Sequence, residues 1–161
     1  MAKEIERKFL LASDAWRPHA TRRRELSQGY IADAPRTSVR VRISAGDAWI
    51  NIKCGGLTAV RDEFEYSIPV ADARVLLAAV TAPLIEKTRH WVPYGGFEWE
   101  IDEFRGANAG LVVAEIELDD ESLEFQIPPW LGKEVTELER YYNVSLVRRP
   151  YSQWSAEERR A

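Results

Sequence analysis

Charged residues recur at alternate positions along much of this chain, and their types are those that handle phosphate and hard metal ions. In the run Glu4-Ile5-Glu6-Arg7-Lys8-Phe9-Leu10, period-two alternation puts Glu4, Glu6 and Lys8 on one face of a strand and Ile5 and Phe9 on the other. Arg40 and Arg42 stand between Val39, Val41 and Ile43, and Glu115 and Glu117 between Ala114, Ile116 and Leu118. Collected by parity, the cations are Lys8, Arg40, Arg42, Lys53, Arg61, Lys87 and Arg89. The carboxylates are Glu4, Glu6, Glu63, Glu65, Glu100, Asp102, Glu115 and Glu117, one more than the cations. A confined interior demands such near-balance, because an uncompensated charge there costs several kcal/mol or changes its protonation.

One alternating Glu/Lys segment is more often a solvated strand face than a site. Recurrence over many segments reverses that weighting, since strands closing into a barrel turn their charged faces inward and their apolar faces toward helices or a neighbouring subunit. The carboxylate excess suits a hard cation, and without Cys or His on the face Mg²⁺ or Mn²⁺ is favoured over zinc. Each Glu-x-Glu pair sets two carboxylates about 7 Å apart on one side of a strand. The cations suit an anion whose charge is spread over several oxygens, with Arg offering bidentate forks and Lys point charges. A polyphosphate with its metal satisfies both halves.

The elements that must position these groups are strands over 3–10, 24–31, 37–44, 48–54, 61–68, 84–92, 96–104 and 111–118. Turn chemistry at Asp33-Ala34-Pro35, Ala45-Gly46-Asp47, Gly55-Gly56, Tyr94-Gly95-Gly96 and Gly106-Ala107-Asn108 implies mostly antiparallel pairing. Gly55-Gly56 lacks the spacing of a phosphate loop and reads as a hairpin turn. An amphipathic helix is expected over 70–80, with Val75, Leu76, Ala79 and Val80 facing the outer sheet at Phe64, Tyr66 and Ile68. Pro128-Pro129-Trp130-Leu131-Gly132 reads as a structured turn rather than a strand. Thr136 and Glu139 have capping-box spacing for a following helix packed through Leu138, Tyr141, Tyr142 and Leu146, ended by Pro150. A short terminal helix is expected over 152–160.

The 161 residues suit one domain, 1–161, and 30% charged with 45% hydrophobic residues is ordinary for a folded protein. A single cysteine, Cys54, and two histidines exclude an internal disulfide and a spaced zinc set, which fits a reducing cytoplasm. No apolar stretch approaches the ~20 residues of a membrane span. The net charge of −4 argues against nucleic-acid binding, and Arg22-Arg23-Arg24 reads as a solvated strand entry. His90 has outward parity and reads as packed, His19 lies in a loop, and Trp99 and Trp130 read as core. Trp49 and Trp91 share inward parity and stand at a barrel end or mouth. Apolar outward faces left uncovered by the few helices would favour a homodimer.

Glu4-Ile5-Glu6-Arg7-Lys8 resembles the Glu-x-Glu-x-Lys signature of the CYTH superfamily, also called triphosphate tunnel metalloenzymes. Further blocks resemble that family in order: Ser38-Val39-Arg40-Val41-Arg42, Ile52-Lys53, Glu63-Phe64-Glu65, Glu86-Lys87-Thr88-Arg89, Trp99-Glu100-Ile101-Asp102, Ala114-Glu115-Ile116-Glu117 and Gly132-Lys133-Glu134-Val135-Thr136. The resemblance implies an α+β fold, an eight-stranded antiparallel closed β-barrel forming a tunnel with a few flanking helices. It implies Glu4, Glu6, Glu115 and Glu117 as metal ligands, with Asp102 in addition. Lys8, Arg40, Arg42, Lys53, Lys87 and Arg89 match its phosphate-holding residues, and Arg61 shares their parity. Glu63, Glu65 and Glu100 are expected in support, and Lys8 with Tyr30 matches a pair that assists the attacking water. The implied activity in this compact form is hydrolysis of inorganic tripolyphosphate to pyrophosphate and phosphate. Thiamine triphosphatase, nucleoside triphosphatase and class IV adenylate cyclase are alternatives on the same scaffold, and a non-enzymatic polyphosphate binder is a further one.

Overall fold

A computed structural model describes residues 2–160; Met1 and Ala161, the ends of the expected domain, lie outside them. Strands β1 (Ala2–Leu11), β2 (Arg22–Ala34), β3 (Thr37–Ser44), β4 (Asp47–Cys54) and β5 (Val60–Ser67) precede helix α1 (Val70–Ala79). They are followed by β6 (Ile85–Tyr94), β7 (Phe97–Phe104), β8 (Val112–Glu117) and β9 (Leu131–Glu134), then α2 (Asn143–Arg148) and α3 (Ala156–Arg159). The sheet order is β5-β4-β3-β2-β6-β7-β8-β1, and β1 pairs back onto β5, so eight antiparallel strands close into a barrel. All eight expected strands form, with β2 running on to Ala34 past a register shift between Tyr30 and Ala32. The Gly95-Gly96 turn joining β6 to β7 has positive φ at both residues, which a side chain would resist.

The segment expected to be only a turn ends in the ninth strand. β5 pairs with the first residues of β1, Ala2 to Ile5, and leaves the rest of that edge open. β9 fills it by pairing with Phe9 and Leu11, while Val135 donates its N–H to the Lys8 carbonyl at 2.8 Å. Pro128, Pro129 and Gly132 mask this strand in the sequence, yet the prolines precede it and Gly132 is there because β1 passes so close. A Cβ at Gly132 would stand 2.9 Å from the Leu10 carbonyl oxygen and 3.2 Å from the Ala12 nitrogen.

Thr136 does not cap a helix. Its hydroxyl accepts the Lys8 N–H at 3.0 Å and donates to Glu134 at 2.7 Å, which fixes β1 from beyond the end of β9. A 3-10 turn follows over Glu139–Tyr141, and α2 covers only Asn143–Arg148. The terminal helix is also shorter than expected, a 3-10 turn at Tyr151–Gln153 followed by α3. A capping box of Ser155 and Glu158 starts α3, and Arg149 grips the same Glu158 carboxylate at 2.6 and 2.8 Å.

Outside the barrel, α1 packs Ala73, Leu76 and Leu77 against Val41, Ala48, Ile43 and Ile50. Val75 and Tyr66 do not take part as expected, being 71% and 57% exposed, because α1 lies over β2 to β4 rather than along β5. Trp16, Trp99, Trp130 and Phe9 build the core over β1 and β6 to β8. A third cluster joins Ile85, Phe104 and Val113 to Leu146, Tyr141 and Trp154. Ile85, Phe104 and Val113 share strand parity with Lys87, Asp102 and Glu115, so the inward face turns apolar at the end where α2 packs.

Gly132→Val is expected to destabilise the fold by about 2 kcal/mol through overpacking against the β1 backbone. A lower denaturation midpoint at unchanged slope reports it.

Candidate functional site

The inward faces enclose a cavity of about 430 Å³. β1 contributes Glu4, Glu6 and Lys8, β3 Arg40 and Arg42, and β8 Glu115 and Glu117. β4 and β5 add Lys53, Arg61, Glu63 and Glu65, β2 adds Tyr30, and β6 and β7 add Arg89 and Glu100. Strand register explains the neighbours: Glu4 faces Arg61, Lys8 faces Glu115, Lys53 faces Glu63, and Glu6 lies opposite Glu117.

Most of these charges are answered in pairs. Lys53 holds both Glu4 oxygens at 2.6 and 2.8 Å, and Arg61 reaches Glu4 at 3.2 Å. Lys8 donates to Glu6 at 2.6 Å and to Glu115 at 2.7 Å. Burial would lower the Lys8 pKa, but Glu115 and Glu6 overcome it and hold the ammonium above its ordinary value. Glu115 is held well below the carboxylate range, because Lys8 and Arg89 outweigh the opposing effect of its burial.

Among the cations, Arg40 and Arg42 are the exception. Neither has an ion-pair partner among the described residues; Arg40 is 6% exposed, and its Nε has no hydrogen-bond acceptor. Arg42 donates from Nε to the Gln28 side-chain Oε1 at 3.0 Å, and Gln28 is itself fully buried. Burial, with Arg40 and Arg89 nearby, pushes the Arg42 guanidinium down to about 9. Two adjacent cations on one strand face, Arg40 buried and Arg42 half-buried, with no carboxylate between them, make a strong anion-seeking wall.

Carboxylates crowd the facing wall. The Glu117 carboxyl is raised to about 7 by desolvation and by Glu4, Glu63, Glu100 and Glu6 around it. Glu100 is likewise raised, first by burial, although Arg89 pairs with it. Oxygen donors of this kind fit a hard divalent cation, which would relieve their mutual repulsion. Among the described residues no group of three or more His, Cys, Asp or Glu side chains already converges as a metal cage. Coordination by Glu4 and Glu6 therefore requires them to exchange lysine and arginine partners for the ion.

Lys87 and Asp102 are not on the cavity wall. Both have no exposure, and the Lys87 ammonium meets Asp102 at 2.5 Å, between the charged cavity and the apolar floor at Phe104. Arg89 binds the same carboxylate through Nε and Nη2, each at 2.8 Å. Burial alone would raise Asp102, but Arg89 and Lys87 hold it down at about 2. Burial brings Lys87 down to about 7, so its charge there rests on Asp102.

The cavity also contains side chains that the charge pattern does not single out. Asn51 bridges Glu63 and Glu65, and Ser38 stands two residues before Arg40. Inward parity on β4 and β3 was the available signal for both. Tyr142, Asn143 and Val144 enter from outside the sheet, where no strand parity marks them. The Tyr142 ring lies under the Lys8 ammonium at 5.1 Å and the Arg61 guanidinium at 5.3 Å, and its hydroxyl donates to the Thr136 carbonyl at 3.0 Å. His90 is packed, as its parity implies, against Trp16 and beside Glu103. Trp91 donates to Glu100 at 3.2 Å and stacks under Arg22, which places it at the rim.

A closed antiparallel barrel with a charged interior is the architecture of triphosphate tunnel proteins, and the CYTH domain pattern matches residues 2–151. The chain belongs to the CYTH domain family. It is 44% identical over 152 residues to an inorganic triphosphatase of Acetivibrio thermocellus, covering 94% of this chain and 97% of that one. It is 36% identical over 151 residues to an inorganic triphosphatase of Nitrosomonas europaea, covering 89% and 95%. The crystal structure of an inorganic triphosphatase superposes with a TM-score of 0.66 at 32% identity, covering 91% of this chain and 95% of that one.

Asp102→Asn leaves Lys87 and Arg89 without their shared carboxylate and is expected to cost about 3 kcal/mol of stability at pH 7. The Asp102 carboxyl near 2 in the folded chain lies below the ~3.9 of an unfolded one, so its stabilising effect is complete above that value and lost as pH falls towards 2. Urea titrations should show the gap between wild type and variant closing between about pH 4 and 2.

Proposed function

We propose that this chain hydrolyses inorganic tripolyphosphate to pyrophosphate and phosphate inside the barrel, using Mg²⁺ or Mn²⁺. The observation that carries the proposal is the Arg40 and Arg42 wall, one buried and one half-buried cation without carboxylate partners, facing a crowded carboxylate wall across one cavity. Triphosphate tunnel enzymes depend on a metal in general, and the relatives named inorganic triphosphatase agree with the substrate class. The lining favours an inorganic chain over a nucleotide or thiamine ester, since apart from Tyr30, Tyr142 and Val144 it offers little on which a ring could pack. Free Cys54 accords with a cytoplasmic setting.

Glu4, Glu6 and Glu117 would hold the metal, with Glu115 and Asp102 as the further candidates of the set. When bound, such an ion neutralises phosphate oxygens and lowers the barrier to attack at phosphorus. Glu115 and Asp102 are more tightly committed to Lys8, Lys87 and Arg89, which suits them to ordering those cations. Arg40 and Arg42 bind and orient the chain of phosphoryl groups. Lys53 and Arg61, freed from Glu4, neutralise charge developing on the pyrophosphate leaving group, and Arg89 continues the cationic wall. Glu63 and Glu65 order Asn51 and Lys53. A water attacks the terminal phosphorus in line, the bridging P–O bond breaks, and the water's proton leaves with the phosphate products. Lys8, held protonated by Glu115 and Glu6, is a poor proton acceptor. It therefore positions the water with Tyr30 as a charge rather than as a base.

Phosphate release from tripolyphosphate, ATP and thiamine triphosphate, measured with Mg²⁺, Mn²⁺ or EDTA alongside a cyclic AMP assay, tests the proposal. Rapid metal-dependent release from tripolyphosphate, slow release from the esters and no cyclic AMP are expected; absent or EDTA-resistant turnover overturns it. Arg42→Ala should lower kcat/KM by about 10²-fold or more, the scale of losing one preorganised charge at a phosphoryl site. Glu6→Ala should retain tripolyphosphate binding, read by calorimetry, while losing turnover.

A further inference from the structure

We propose that Val144 is a chain-length stop, separating the tripolyphosphate cavity from a second basic pocket that takes the next phosphoryl group of a longer linear polyphosphate. The inference rests on the tripolyphosphate reading above. A pocket of about 60 Å³ lies where the β2–β3 turn, the Gly56-Leu57 loop and α2 meet. It shares Ser38, Lys53, Arg61 and Val144 with the large cavity, so the two spaces have a common wall. Its outer side adds Arg36 and Arg148. Asp33 is its one carboxylate and is already paired with Arg148, while Arg36 has no ion-pair partner among the described residues.

The pocket has room for about two waters at the liquid's ~30 Å³ each, and so for a single phosphoryl group. A phosphate chain carries charged oxygens at every repeat, and Lys53 and Arg61 stand at the junction where a third group would give way to a fourth. Val144 is the exception in this wall. It is only 7% exposed, yet it belongs to none of the three apolar clusters, and it is the one apolar residue among the four that the cavity and the pocket share. Leu146, two residues on, anchors α2 in the apolar floor and keeps Val144 in place. A side chain with no donor, fixed between the charged cavity and the basic pocket, blocks the chain sterically and contributes nothing to holding it.

Tri- and tetrapolyphosphate turnover by the full chain with Mg²⁺ tests this. Attack at the terminal phosphorus converts tetrapolyphosphate to phosphate and tripolyphosphate. Val144→Ala should raise the tetra-to-tri ratio of kcat/KM by about tenfold, the scale on which one or two methyl groups discriminate in a fitted pocket. Val144→Ile should lower that ratio, and it carries the test if truncation unfolds α2. Adding Arg36→Ala or Arg148→Ala to Val144→Ala should cancel the gain while leaving tripolyphosphate turnover as it was. A ratio unmoved by either Val144 variant overturns the inference alone, whereas a wild type inactive on tripolyphosphate overturns the reading beneath it as well.

Discussion

Asp102 has no exposure to solvent and is gripped by Lys87 and Arg89, and the interior of the barrel is arranged around keeping such charges compensated. A buried carboxylate of this kind persists only with cations against it, and those cations need further carboxylates in turn. Arg89 accordingly reaches Glu100 and Glu115, Glu115 engages Lys8, and Lys8 engages Glu6. The chain of pairs climbs from the apolar floor to the cavity wall and stops short of Arg40 and Arg42. Ligand charge is wanted at the point where internal compensation ends.

The interior is therefore graded along the barrel axis rather than uniform. Ile85, Phe104 and Val113 meet α2 at one end, Lys87 and Asp102 form a closed layer above them, and open charged groups follow. The apolar layer and the α2 plug keep water from the deepest ion pairs, which strengthens them. Toward the cavity the same parity positions face solvent and are free to exchange partners.

Period-two alternation made the strands, their inward faces and the barrel legible, because one face of each strand carries chemistry that the other cannot. Parity reports the face and not the depth, so Lys87 and Asp102 read like Arg89 and Glu100 although they lie behind the wall. β9 was masked by Pro128, Pro129 and Gly132, since its pairing answers an open edge of β1 that only the closed barrel reveals. The spacing of Thr136 and Glu139 fits a helix cap equally well, and the Lys8 N–H claims that hydroxyl through a contact between the two ends of the chain. Tyr142 and Val144 reach the cavity from a short helix whose position depends on tertiary packing.

β1 has three partners, β5 and β9 sharing one edge and β8 covering the other. As the chain is synthesised, the strand carrying Glu4, Glu6 and Lys8 emerges before the other strands of the barrel, yet Glu6 cannot find Glu117, nor Lys8 the Thr136 hydroxyl, until nearly all of them exist. Closure of long sequence separations is slow, and an unpaired strand edge in the interval invites wrong pairing. Charged side chains along that early strand discourage its burial against copies of itself. The residues that give the cavity its chemistry thus also guard the nascent barrel, and they acquire their final neighbours only in the last act of folding.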